Sequence, residues 1–318
     1  MESNLQYETT KKKKTLSPHF RRKHIWAYIF ILPQLLYFLF ASLYPIVMSY
    51  VYSAYEWDGL GPLEQYVGLG NYLELLKDPM FWKTFNNSLV YGIGTTIISM
   101  FVSLILALIL NGPNMKGKGF YRTLYFLPVV TTTSIIGIIM NNIFGIRGFF
   151  NEFLMTLGII EQPIKFWLEP TLAMLLLIII GSWKQIGVIM IYWLAGLQTI
   201  SNDLYEAAKI DGAGYWKALW YITLPLLKPV TATILLITVS GSLKVFDLVK
   251  TLTNGGPNHE TETLELYIYN YAFASDFGGA RVGYASAAGV LLEIFVLFIS
   301  LLFGWMVFKA NGGRKRRV

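Results

Sequence analysis

The stretch Glu206-Ala207-Ala208-Lys209-Ile210-Asp211-Gly212, followed nine residues later by Ile222-Thr223-Leu224-Pro225, decides how this chain is read. It lies in a polar segment between two long apolar ones, so it belongs at a membrane surface. Asp203 and Glu206 have the spacing of a capping box, which starts a short helix. Gly212 ends that helix, because glycine takes up left-handed backbone at little cost. Residues 215–221 continue as a second helix, which Pro225 stops. The expected element is a helix–glycine–helix hairpin on the membrane face.

Composition says what surrounds it. The 318 residues are 54% hydrophobic and 14% charged, with a mean hydropathy of +0.49. A soluble domain carries about 25% charged residues. The chain is therefore read as an all-α polytopic membrane protein. About 20 apolar residues cross a bilayer. Six such windows occur, near 25–51, 88–110, 120–144, 172–194, 230–249 and 284–308. The first is too long for a cleaved signal peptide, and no A-x-A site follows it. Pro33 and Pro45 predict a kink or break in it. With no cysteine, disulfides, thiol catalysis and Cys-ligated metal are excluded. His19, His24 and His259 are too scattered for a metal or general-base cluster.

Lys and Arg orient the spans. Eighteen fall in the N-terminal tail, the 111–122 loop, the 196–228 loop and the C-terminus; the alternate loops hold five. Both termini and the glutamate-alanine loop are expected in the cytoplasm of a bacterial cell. The basic ends suit anionic lipid, not nucleic acid. The chain divides into a basic tail (1–24), a membrane domain (25–308) containing the 196–228 loop, and a second basic tail (309–318). Short helices are expected within 66–76 and at 151–157, and a turn at 253–257.

The Glu-Ala-Ala, Gly and Ile-x-Leu-Pro positions resemble the EAA loop of permeases of binding-protein-dependent ABC importers, in which that loop docks into the ATPase. From residue 86 onward the layout resembles the five-helix permease core, with the first span as an added N-terminal helix. Ala195-Gly196-Leu197-Gln198, Thr253-Asn254-Gly255-Gly256-Pro257 and Gly283-Tyr284-Ala285-Ser286-Ala287 are similar to the carbohydrate-uptake branch, the maltose- and glycerol-phosphate-transporter-like permeases. The resemblance makes Glu206, Ala207, Ala208, Asp211 and Gly212 the ATPase-docking residues.

It also implies a substrate path. Counting back from the docking loop puts Trp183, Lys184, Gln185 and Val188 at positions that face sugar in maltose-transporter-like permeases. Counting back from Gly255-Gly256-Pro257 puts Ser242, Leu243, Val245 and Phe246 near the opposite wall, with Lys244 and Asp247 as polar neighbours. Aromatic faces stack on sugar C–H surfaces, while amides and charges bind hydroxyls. The apolar Val188 and Val245 argue against maltose. Charges at 184, 244, 247, 250 and 293 are costly in a bilayer, about 2.5–3.5 kcal/mol each near its centre. They must pair or face a wet cavity. Lys244, Asp247 and Lys250 have a helical spacing that allows local pairing. Two unpaired lysines on the path would favour an acidic sugar. Ala285, Ala288 and Gly289 form a small-residue patch for close helix packing, within the subunit or against a second permease.

Gly112, Gly117 and Lys118 imitate a P-loop, but residue 119 is Gly where the magnesium ligand belongs, and Pro113 lacks a needed donor. No cofactor is therefore expected in this chain, and ATP and Mg belong to a separate ATPase subunit. The resulting reading is a non-catalytic permease that moves a sugar or oligosaccharide by alternating access. Its implied partners are a second homologous permease, two ATPase subunits and an extracytoplasmic solute-binding protein, the last met by the acidic loops 54–86 and 251–283. An ion-coupled secondary transporter is the alternative; it would need intramembrane carboxylates, and only Asp247 and Glu293 offer them.

Overall fold

A computed structural model of the chain describes residues 18–112, 115–273 and 279–312. Two compact units divide between Val51 and Tyr52. The first unit is helical. α1 (Pro18–Phe38) runs into a π-helical turn (Leu39–Leu43) and then α2 (Tyr44–Tyr52). Its helix begins inside the segment read as a basic tail, and residues 1–17 of that tail lie outside the described residues. Neither proline breaks it.

The same device occurs twice. In α2 the Tyr44 N–H donates to Leu39 O, five residues back, immediately before Pro45. Later in the chain the Leu224 N–H donates to Leu219 O, immediately before Pro225. A proline removes one i→i−4 donor and crowds the carbonyl behind it. One π turn shifts the hydrogen-bond register at that point, so the helix continues. The expectation that Pro225 stops a helix is thereby corrected: residues 215–242 form one helical stretch.

The second unit starts with a two-residue antiparallel ladder of β1 (Tyr55–Glu56) and β2 (Gln65–Tyr66), then α3 (Gly70–Lys77). α4 (Pro79–Asn111) is capped by Asp78, whose carboxylate accepts from the Met80 N–H at 2.8 Å. α5 (Lys118–Val130), α6 (Thr133–Phe144) and α7 (Phe149–Thr156) follow, then α8 (Pro170–Leu197). α9 (Asn202–Ile210) and α10 (Tyr215–Ala218) lead through the second π turn into α11 (Leu224–Ser242). α12 (Asp247–Leu252), α13 (Leu264–Phe273) and α14 (Val282–Gly312) complete it. Among the described residues six helical stretches are long and apolar enough to cross a membrane.

Two expected spans are broken. The third, expected as one helix over 120–144, is interrupted by extended backbone at Thr131 and Thr132. Pro128 and three consecutive β-branched threonines disfavour helix there. The fifth ends at Ser242, and Lys244 lies in the turn before α12. Lys244 and Asp247 therefore do not share a helix, and the expected local pairing does not form.

α4 and α8 form the centre of the unit. A Cβ on Gly181 would meet the Tyr91 hydroxyl at 2.2 Å, so only glycine permits this approach. Facing it, α4 buries Thr95, Thr96, Ser99 and Ser103. Most of these hydroxyls bond back to their own helix, as Ser99 Oγ does to Thr95 O at 2.6 Å. Small, self-satisfied side chains let two helices pack closely where lipid offers no hydrophobic drive. Of the small-residue patch, Ala288 is buried in the cluster of Leu75, Phe81, Leu264 and Tyr267 and Ala285 is buried as well, whereas Gly289 is half-buried with open space beside it, so only the first two pack inside the subunit.

Candidate functional site

Two regions carry the sequence-derived residues. The first is the hairpin α9–α10. Ser201, not Asp203, caps α9: its Oγ accepts from the Asp203 N–H at 3.3 Å, and Asp203 sits in the first turn, where its charge favours the helix N-terminus. Gly212 follows with φ +75°, and the Ala213 N–H donates to Ala208 O at 2.8 Å. This is the helix-ending backbone expected there. No atom lies within 4 Å of a Cβ built on Gly212, so the position is open. Glu206, Ala207, Asp211 and Gly212 are exposed, and Ala208 is half-buried. Ile210 is 87% exposed, and Trp216 and Tyr221 are also open. The Tyr205 hydroxyl ties α9 to Thr223 Oγ1 at 2.9 Å. A second cavity, of about 620 Å³, lies beneath the hairpin between Asn111, Gln198, Tyr205 and Thr223.

The second region is a cavity of about 400 Å³ between α8 and α11, closed by the turn before α12. Lys184, Gln185, Val188, Ser242, Lys244, Val245, Phe246 and Asp247 all line it. Trp183 does not; at 42% exposure it lies outside the lining, since successive residues on a helix point about 100° apart, and Leu243 is turned away too, buried in the cluster with Tyr284 and Ala288. Gln185 Nε2 reaches Ser242 Oγ at 3.4 Å and bridges the two walls. Lys184 Nζ donates to Thr133 Oγ1. Among the described residues no carboxylate forms an ion pair with Lys184 or Lys244.

Thr133 was not legible in the sequence. It reaches the cavity because the third span breaks at Thr131–Thr132, and the Pro128-to-Thr133 run was the available signal. Tyr91 of α4 was missed for a different reason: it belongs to an uninterrupted helix. The loop after α12 holds the turn in place. Asn87 Nδ2 donates to His259 O at 3.1 Å and Glu262 O at 3.0 Å. The Leu264 N–H donates to Ser88 Oγ at 2.8 Å, and Thr263 Oγ1 donates to Val245 O at 2.9 Å. Residues 253–255 form the expected turn, with Asn254 and Gly255 both at positive φ.

Charge beside the cavity is not symmetric. Burial holds the Glu265 carboxyl above its ordinary range, against the opposing pull of Lys244. At the same end, Arg281 grips Glu74 through two hydrogen bonds of 2.7 and 2.8 Å. Those bonds hold the Glu74 carboxyl below its ordinary value. The imitation P-loop resolves partly: Gly117 has φ +74° and starts α5, while Pro113 lies outside the described residues. Among the described residues no group of three His, Cys, Asp or Glu is placed to hold a metal.

Comparison with known proteins places this geometry. Residues 99–311 match the family described as binding-protein-dependent transport system inner membrane component. The chain is 36% identical to the lactose transport system permease protein of Rhizobium radiobacter, over 86% of this chain and 91% of that one. It is 36% identical to the arabinooligosaccharides transport system permease protein of Bacillus subtilis (strain 168), over 89% and 88%. Its fold is similar to a chain in the crystal structure of a bacterial ABC transporter involved in import of the acidic polysaccharide alginate. There the TM-score is 0.78 at 25% identity, covering 91% of this chain and 96% of that one. The chain belongs to the family of binding-protein-dependent transport system inner membrane components, as a multi-pass membrane permease.

Proposed function

We propose that the chain is one half of the transmembrane pathway of an ATP-driven importer for a sugar or oligosaccharide. Hydrolysis then takes place in a separate ATPase subunit, which receives the hairpin α9–α10. A second permease completes the pathway, and a solute-binding protein delivers the sugar at the opposite end. The Lys/Arg bias supports a cytoplasmic position for both termini and for the hairpin. ATP-driven closure of the ATPases moves the hairpin, and the spans exchange one open side for the other.

The observation that carries this reading is the pairing of an exposed, glycine-turned hairpin with a cavity walled by Lys184, Gln185 and Ser242. An amide, a hydroxyl, two ammonium groups and the Asp247 carboxylate over apolar walls suit a polyhydroxylated ligand. The lysines extend that range to acidic sugars. The test is uptake into proteoliposomes containing the complete complex. ATP inside the vesicle equivalent of the cytoplasm is expected to drive uptake without an ion gradient. Lys184→Ala is expected to cut uptake several-fold with the complex still assembled. Uptake that follows an ion gradient and ignores ATP would overturn the reading.

A further inference from the structure

The cavity does not end at its own wall. Phe246, which lines it, packs its ring on Tyr269 with centroids 4.9 Å apart. Tyr269 in turn meets Phe273 at 5.4 Å. Tyr269 and Phe273 are four residues apart on α13 and share one face of it. The face opposite is occupied: Leu264 and Tyr267 are buried in the protein, and Leu266, one turn before Tyr269 on the stripe's own face, is buried as its inner end. Exposure rises outward along the stripe, from half-buried Phe246 through Tyr269 at 37% to Phe273 at 74%. Lys250 Nζ stands 5.0 Å over the Tyr269 ring, and among the described residues no carboxylate forms an ion pair with it.

We propose that Phe246, Tyr269 and Phe273, with Lys250 beside them, form a second carbohydrate subsite that extends the cavity toward the end of the bundle opposite the hairpin. The inference rests on the sugar-import reading and adds that the cargo is an oligosaccharide, since it must fill both the cavity and the stripe. Phe246 and Phe273 flank the Tyr269 ring, over which Lys250 stands, and the surface the three leave open is the apolar, aromatic kind on which sugar rings stack. One ammonium supplies the polar partner for hydroxyl or carboxylate oxygens. A second subunit, or the solute-binding protein expected against loop 251–283, is the competing occupant of this face. It would have to supply a carboxylate of its own for the Lys250 ammonium, because a buried charge without a partner is strongly disfavoured and this chain offers it no ion pair among the described residues. A sugar chain leaves the ammonium hydrogen-bonded and partly wet. Continuity with the cavity through Phe246 favours the same occupant.

The chain has no cysteine, so Phe273→Cys is a unique labelling site. In the assembled transporter it is expected to react with a thiol-directed fluorophore as readily as Leu60→Cys, a control at 79% exposure. Lactose, an arabinotriose and an alginate trisaccharide are then titrated, each beside its monosaccharide, and uptake of the same panel is measured in parallel. At least one oligosaccharide is expected to shift the emission while its monosaccharide does not. Tyr269→Ala should raise the concentration needed for half-maximal uptake of that sugar about five- to tenfold, the size of one lost aromatic contact. Failure of Phe273→Cys to label in the complex would show that a subunit covers the stripe and would overturn the proposal. Labelling without any emission shift, while a sugar is taken up, would overturn the subsite alone. Absence of uptake for the whole panel would remove the sugar reading and the subsite with it.

Discussion

The Tyr205 hydroxyl lies 2.9 Å from Thr223 Oγ1, joining α9, which ends just before Gly212, to the π turn that precedes α11. This bond bypasses the exposed turn at 211–214. The bond is a direct contact between α9 and the helix that continues as α11, and α11 ends at Ser242 in the cavity wall. The hairpin and the cavity are linked through one helix.

Tyr205→Phe removes that bond and nothing else of size. A lost hydrogen bond of this kind costs about 1 kcal/mol. The expected outcome is a several-fold fall in sugar moved per ATP hydrolysed, with subunit assembly unchanged. Simultaneous measurement of uptake and hydrolysis in proteoliposomes checks it; an unchanged ratio would count against direct transmission.

Gly212 at φ +75° separates strain from contact. No neighbour lies near its missing Cβ, so Gly212→Ala tests backbone strain alone, about 1 kcal/mol. Gly212→Asp adds a charge at the docking face. The expected order of ATPase retention on copurification is native, then Ala, then Asp, with uptake abolished in the Asp variant. Equal retention in all three would refute the coupling role of this turn.

Asn87 donates two hydrogen bonds to carbonyls of the loop that supports the cavity, and it is nearly buried. Asn87→Ala leaves those carbonyls unsatisfied, at about 1–3 kcal/mol each. A lower Tm of the detergent-solubilised complex is expected, together with weaker sugar uptake. An unaltered Tm would mean that water replaces the amide.

The Glu74–Arg281 pair predicts a pH dependence with a definite sign. The folded-state value of Glu74 is depressed below 4.5 by Arg281. Its contribution is therefore fully present above that pH and is lost as pH falls through the depressed value. Both side chains are partly exposed, so the effect is small. Thermal stability followed from pH 6 to pH 3 should fall less steeply in Arg281→Leu than in the native chain.

Orientation is tested independently. Reporter fusions at residue 70 should report the outside, and fusions at residues 115 and 318 the cytoplasm. A cytoplasmic residue 70 would reverse the charge-based orientation.

Composition and pattern alone determined that the chain is a helical membrane protein with six long apolar stretches, and that a helix–glycine–helix hairpin interrupts them. Both are local: a span needs only enough consecutive apolar residues, and Gly212 needs only its own φ. The positions of Lys184, Gln185 and Ser242 were also legible, through their distance along the chain from the hairpin and from the Gly255-Gly256 turn. The tertiary structure alone decided what the prolines and threonines do. Pro45 and Pro225 are absorbed by π turns because neighbouring residues can shift hydrogen-bond register. Thr131 and Thr132 break a span that hydropathy reads as continuous. Trp183 left the cavity wall because one residue turns a helix by about 100°. Phe246, Tyr269 and Phe273 form one stripe only because the chain turns back between α12 and α13, a relation between residues far apart in sequence that no periodicity records.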